Sequence, residues 1–313
     1  MRKIIDPIIL PEYHRMMTMK QFIIVCLMAI IGTIQCSAQS TRDNPGHQVI
    51  VLHMFGSFED AVSMSCVSTG DIFVLDQKNS DIYKINKNGN TIKEFGGKGW
   101  GDYEFDDPTD ITSSFLLEVF VTDRNNLRVQ QYDRSLNYVQ SFSKSLISDR
   151  DIRLRPKATA VSSQGNIFIL DTEGNRVLKL NSRQKIEKIF GSYSDGKGKL
   201  LSPVDISIMP DNTVTVLDGS EIKLFDYFGN YIKSIPLPHD QQWCAVSSYG
   251  KYIIAVSHSA IMIFTADSQP VLSIIPSDLV TDVKPLEFRD AGITHSLLYI
   301  LTPTTILQCS LNN

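Results

Sequence analysis

The feature that most constrains this chain is a returning apolar run that stops on a small polar residue. DIFVLD ends at Asp76, EVFVTD at Asp123, NIFILD at Asp171 and TVTVLD at Asp218. Two looser copies follow, YIIAVS ending at Ser257 and LLYILT ending at Thr302. The intervals are 47, 48, 47, 39 and 45 residues. A fixed period of roughly 40 to 50 residues marks repeat architectures, and propeller blades in particular.

Each repeat holds more than one strand. A second apolar run follows the anchor, as in DIYKIN, LRVQQYD and RVLKLN. A third follows a turn, as in NTIKEFGG and NYVQSF, and a short run such as DITSS or TAVSS precedes the anchor. Four short strands per unit, with turn residues between them, predict an all-β chain. Six anchors make it a six-bladed β-propeller of four-stranded blades. The last repeat ends at Asn313 before its third run, while HQVIVLHMFG (His47–Gly56) precedes the first repeat and has the missing form. The expectation is that this N-terminal strand completes the last blade, so that no edge is left unpaired.

Asp76, Asp123, Asp171 and Asp218 read as structural turn anchors. A carboxylate at a strand end can accept backbone N–H bonds in the turn that follows. In NLRV and GNRV an Arg can fold over that turn and pair with the Asp.

The stretch FGGKGWGDYEFDDPTDITSS…VFVTDRNNLRVQQYD (Phe95–Asp133), with IFILDTEGNRVLKLN (Ile167–Asn181), resembles the NHL repeat. The resemblance covers about residues 56–235 and fades in the last two repeats, where Ser257 and Thr302 replace Asp. It implies a six-bladed propeller. NHL-like propellers include protein-binding, RNA-binding and catalytic members, so it implies little about activity.

Residues 1–38 read as a signal peptide. The run FIIVCLMAIIGTI (Phe22–Ile34) follows Arg2, Lys3, Arg15 and Lys20, and CSAQS gives a small-residue cleavage site at Ala38. Thirteen apolar residues fall short of the roughly 20 that span a membrane. Met19 is the more ordinary start. Lipid anchoring at Cys36 is not expected, because Gln35 sits where a small residue is needed. Residues 39–46 are then a short linker and 47–313 the propeller, extracytoplasmic and monomeric, with no membrane span after signal removal.

The chain carries 30 basic and 34 acidic residues. Loss of residues 1–38 removes four basic and two acidic ones, leaving 26 against 32. That balance argues against a nucleic-acid surface. Cys66, Cys244 and Cys309 are an odd number and imply buried thiols rather than a disulfide framework.

Two functional classes remain. Propeller enzymes of lyase or lactonase type hold a metal in the central channel. Counting 13 residues back from each anchor gives Ser63, Asp110, Ala158, Asp205 and Cys244, with Arg289 or Asp290 in the last blade. Two or three carboxylates without His make a poor set for Ca²⁺ or Zn²⁺, and no cofactor is expected. The other class is a non-catalytic binding or scaffold module for a protein or glycan. The long blade-to-blade loops carry Trp100, Tyr103, Arg153, Arg155, Tyr193, Lys197, His239 and Trp243. Trp, Tyr and Arg are the residues that anchor interfaces. These eight are the expected binding residues of the loop face.

Overall fold

A strand that is apolar at every position has to be covered on both faces. The second strand of each of the first four repeats is buried throughout, down to its terminal Asp. In the computed structural model, which describes residues 49–114, 118–143, 153–181, 183, 185–279, 281 and 286–311, each sheet is packed between two others. The expected signal segment, the linker and Cys36 lie outside the described residues.

Twenty-four strands form six four-stranded antiparallel sheets. Strand β1 (Val49–Phe55) comes first. Blade 1 is β2 (Ala61–Cys66), β3 (Ile72–Asp76), β4 (Asp81–Ile85) and β5 (Thr91–Gly96). Blade 2 is β6 (Pro108–Ser113), β7 (Val119–Asp123), β8 (Arg128–Tyr132) and β9 (Tyr138–Ser143). Blade 3 is β10 (Pro156–Val161), β11 (Ile167–Asp171), β12 (Arg176–Leu180) and β13 (Ile186–Phe190). Blade 4 is β14 (Pro203–Ile208), β15 (Val214–Asp218), β16 (Glu221–Phe225) and β17 (Tyr231–Pro236). Blade 5 is β18 (Trp243–Tyr249), β19 (Tyr252–Ser257), β20 (Ala260–Thr265) and β21 (Pro270–Ile274). Blade 6 is β22 (Asp290–Thr294), β23 (Leu297–Leu301) and β24 (Ile306–Leu311), with β1 antiparallel to β24 on its outer side.

The first strands, β2, β6, β10, β14, β18 and β22, neighbour one another in a closed ring, with β22 beside β2. The fold is a six-bladed β-propeller. Its core is six apolar clusters, one in each gap between blades. Between blades 1 and 2, for example, Phe73, Leu75 and Ile82 meet Phe105, Ile111 and Tyr132. Each such side chain stabilises the fold by about 1.5–3 kcal/mol through burial. Every first strand starts on the same face of the ring. That face therefore carries the blade-to-blade loops and the turns after the second strands.

The four anchors do more than shape their own turns. Asp76 accepts the N–H of Lys78 in its turn at 3.2 Å, and also those of Glu59 and Asp60, which enter the blade from the preceding loop. Asp123 does the same for Asp106, Asp171 for Arg155, and Asp218 for Leu201 and Ser202. A cation closes three of them: Arg128 on Asp123 at 2.8 Å, Arg176 on Asp171 at 2.9 Å and Lys223 on Asp218 at 2.9 Å. In blade 5 the Ser257 hydroxyl caps its turn through the N–H of Ala260, and Thr302 does so through Thr305 in blade 6.

Candidate functional site

Five inner strands carry one extra residue near the start, a bulge that leaves it without a ladder partner. These residues are Val62, Thr109, Lys157, Val204 and Cys244. Arg289 takes the matching place ahead of β22. The next residue in each blade is Ser63, Asp110, Ala158, Asp205, Ala245 and Asp290. Thus carboxylates alternate with small residues around the ring. The count from the anchors placed Cys244 in this set. The pairing of Ala245 with Val256 puts Ala245 there instead, because the inner hairpin of blade 5 is one residue shorter. The same shortening selects Asp290 over Arg289 in blade 6.

An inner strand has no sheet neighbour on its channel side, so its N–H groups need other acceptors. The alternation supplies them. Asp110 reaches into blade 3 and accepts the N–H of Thr159 at 2.8 Å. Asp205 reaches into blade 5 for Val246 at 2.7 Å, and Asp290 into blade 1 for Met64 at 2.8 Å. The second oxygen of Asp205 takes the N–H of Ile206, and that of Asp290 takes Ala291, both at 2.7 Å. At the remaining position the N–H of Ile111 is accepted by Ser63, whose hydroxyl donates to Asp110 at 3.0 Å. All six carboxylate oxygens are engaged, and so are the six ring amides.

Burial, and then repulsion from Asp205, pushes the Asp110 carboxyl up to about 7. Burial pushes Asp205 up to about 6. Burial and repulsion from Asp205 raise Asp290 well above the usual carboxylate range. Asp205 keeps some surface on the channel. The cavity here is about 170 Å³, lined by these acids and by hydroxyls such as Ser65, Ser113, Ser207 and Ser248. A channel metal does not fit this chemistry. The carboxylate oxygens hold backbone amides, and among the described residues no group of three His, Cys, Asp or Glu is placed to hold an ion.

Above the acids the channel widens into a funnel of about 620 Å³ on the loop face. The six bulge-position residues line it, together with Gln77, Ser220, His239, Gln241, Gln242, Trp243 and His258. Lys157, Arg289 and His258 carry charge or proton chemistry there without having been among the expected binding residues. The bulge, invisible in the spacing, is what points Lys157 inward, and Arg289 holds the matching place ahead of β22.

The expected loop-face residues divide. His239 and Trp243 line the funnel, but Trp243 is only 4% exposed. It packs with Leu217, Leu237 and Val246, and its indole N–H donates to Pro238 O at 2.9 Å. Trp243 is therefore a core residue, not an exposed anchor. Trp100, Tyr103, Arg153, Arg155, Tyr193 and Lys197 are exposed on three successive loops outside the funnel. Lys199 Nζ lies 3.9 Å from the Tyr193 ring centroid.

The Trp100 loop is held by its own carbonyls. Arg128 donates to the carbonyls of Trp100, Gly101 and Glu104, each at 2.9 Å. Tyr132 donates to Asp102 O at 2.7 Å, and Asn126 to Gly99 O at 2.8 Å. The Glu104 carboxylate accepts the N–H groups of Trp100 and Gly101. A Cβ at Gly99 would collide with that carboxylate. The indole at the tip stays 69% exposed.

No family model and no curated protein matches the chain. Solved structures do. One is a gluconolactonase of Xanthomonas campestris, TM-score 0.62 at 12% identity, over 86% of this chain and 96% of that one. A second is virginiamycin B lyase of Staphylococcus aureus, TM-score 0.58 at 12% identity, over 85% and 99%. A third is a nidogen/laminin complex, TM-score 0.55 at 13% identity, over 74% and 94%. Likeness at this identity places the chain among propellers by fold alone. Among the described residues no helix is long and apolar enough to cross a membrane.

Proposed function

We propose that this propeller is a non-catalytic binding module that works outside the cytoplasm and takes a protein or glycan partner on its loop face. One observation carries the reading. The Trp100 indole is exposed on a loop whose carbonyls are fixed by Arg128, Tyr132 and Asn126. A large aromatic held rigid in solvent loses little freedom on binding, which is what an anchor requires. Tyr193 at 84% exposure, Arg153 and Arg155 add recognition groups on neighbouring loops.

Fold likeness to a lactonase and a lyase supports an alternative, an enzyme working in the channel. The carboxylates such a site would use are the ones that hold the ring amides, which favours the binding reading. A glycan array, with affinity capture from the host's envelope and secreted fractions alongside, tests it. Wild type should retain a ligand that Trp100→Ala loses. Equal retention by both would remove the loop from the site.

A further inference from the structure

The funnel is distinct from the exposed rim, and its chemistry is lopsided. The chain as a whole has more acidic than basic residues. Yet the funnel lining contains Lys157, Arg289, His239 and His258 and no Asp or Glu, the nearest carboxylates being Glu287 beside Arg289 and His258 and Asp60 beside Arg289. We infer that the funnel is a binding site for a small ligand carrying an oxyanion, a carboxylate or a sulfate, with Lys157 and Arg289 as its charge partners.

The two cations come from blades 3 and 6, which face each other across the ring. Each owes its inward direction to the same device, the position just ahead of the ring residue. Lys157 makes no ion pair among the described residues. Its charge is felt by Asp110 and Asp205 below it, but those carboxylates already hold backbone N–H groups. Arg289 places one terminal nitrogen 3.2 Å from Asp60 and 3.4 Å from Glu287. Its Nε is buried with no partner. A buried donor left unpaired is uncommon, and a turn of the guanidinium that brings it to the funnel would let an oxyanion, the strongest acceptor, satisfy it. His239 uses Nδ1 on Ser220 at 2.6 Å, and His258 Nδ1 lies 3.2 Å from both Phe288 O and the Glu287 carboxylate, so both rings are set by a second group. The Gln241 oxygen is taken by Ser257 and Ser259. These neighbours offer donors to the rest of a polar ligand. The volume, about 620 Å³, suits a molecule of sugar-acid size.

Isothermal titration at low ionic strength with glucuronate, sulfate and glucose tests this. At least one of the two anions should bind one per chain, and glucose should not. Which anion binds separates a sugar acid from a bare oxyanion. Lys157→Gln should weaken that binding by about tenfold or more, the scale of a lost charge-assisted bond. Lys157→Arg should stay near wild type. Lys188→Gln, which removes an exposed charge on β13 away from the funnel, should leave affinity unchanged. The melting temperature of each variant separates lost binding from lost fold. Failure of both anions to bind wild type, equal binding of glucose, or full affinity in a folded Lys157→Gln would each overturn the proposal. The wild-type comparison stands even where a variant does not fold.

Discussion

Asp110 in blade 2 accepts the backbone N–H of Thr159 in blade 3 at 2.8 Å, joining two blades through residues 49 apart in sequence. Replacing it by Ala strands that N–H on the channel wall. At pH 5, where the carboxyl is largely protonated, the loss is one of hydrogen bonds. Asp110→Ala should cost about 1–3 kcal/mol. Asp110→Asn, which keeps an acceptor, should cost less. Urea unfolding of both variants checks the order.

The buried acids also set a pH dependence. The unfolded chain releases these protons near the ordinary aspartate value of 3.8, whereas Asp205 holds its proton to about 6 and Asp110 to about 7. Between those limits the folded state binds more protons. Stability should therefore fall as pH rises from about 4 through about 7, and Asp290, raised well above the usual range, extends the fall beyond the other two. Asp133 and Asp226 are shifted down by their turn hydrogen bonds and act only at the acid end. Thermal melts should give a higher midpoint at pH 5 than at pH 8, and the Asp110→Asn, Asp205→Asn double variant should flatten that slope. A wild-type midpoint that climbs through the window would contradict the assignment.

The two tryptophans should behave as opposites. Trp243→Ala empties a core position and should cost about 3–5 kcal/mol, while Trp100→Ala should change stability by about 0.5 kcal/mol or less. Fluorescence of Trp100→Phe should be blue-shifted and resistant to iodide. Red-shifted, easily quenched emission from that variant would mean Trp243 is not buried.

Arg128 is the central support of the Trp100 loop. Arg128→Ala should leave the Trp100, Gly101 and Glu104 carbonyls without their donor and expose the loop to protease. Limited digestion with chymotrypsin should cut near Trp100 in the variant first. An unchanged cleavage pattern would show that Tyr132 and Asn126 suffice.

Strand β1 is the outer partner of β24 over six residue pairs. A chain lacking residues 47–56 loses that ladder and leaves β24 as an open edge. It should unfold at lower denaturant or self-associate, read by light scattering and circular dichroism. A truncated chain that melts like the full one would assign the strand no role in holding the ring.

Much of the fold could be read in advance because its signals are local. An apolar run that stops on a small polar residue marks a strand end, and six such ends, four on Asp and one each on Ser257 and Thr302, count the blades. The site resisted for a physical reason. One inserted residue in each of five inner strands redirects a side chain while leaving the composition and the anchor spacing untouched, so the spacing did not single out Lys157, and Arg289 entered only as the alternative to Asp290 in the ring count. The shortened hairpin of blade 5 moved the ring position from Cys244 to Ala245. Trp100 and Trp243 both belong to blade-to-blade stretches, but Trp243 is already the first residue of β18 while Trp100 sits within its loop. The packing of Leu217, Leu237 and Val246 around one of them separates core from rim. The alternation of Asp with small residues was visible at Asp110, Ala158 and Asp205. Its purpose appears only when each N–H is traced to its acceptor.

That tracing carries an economy of charge. If every blade used its own carboxylate for its own amide, six anions would crowd one narrow channel. Letting Asp205 and Asp290 each serve two amides, and letting Ser63 take a place that needs no charge, satisfies the same six groups with three acids. An even number of blades is what permits such an alternation to close on itself without a mismatch. A ring of five or seven would bring two acids, or two small residues, side by side. The blade count and the residue chosen at one position of the inner strand are thus a single constraint, written once around the circle.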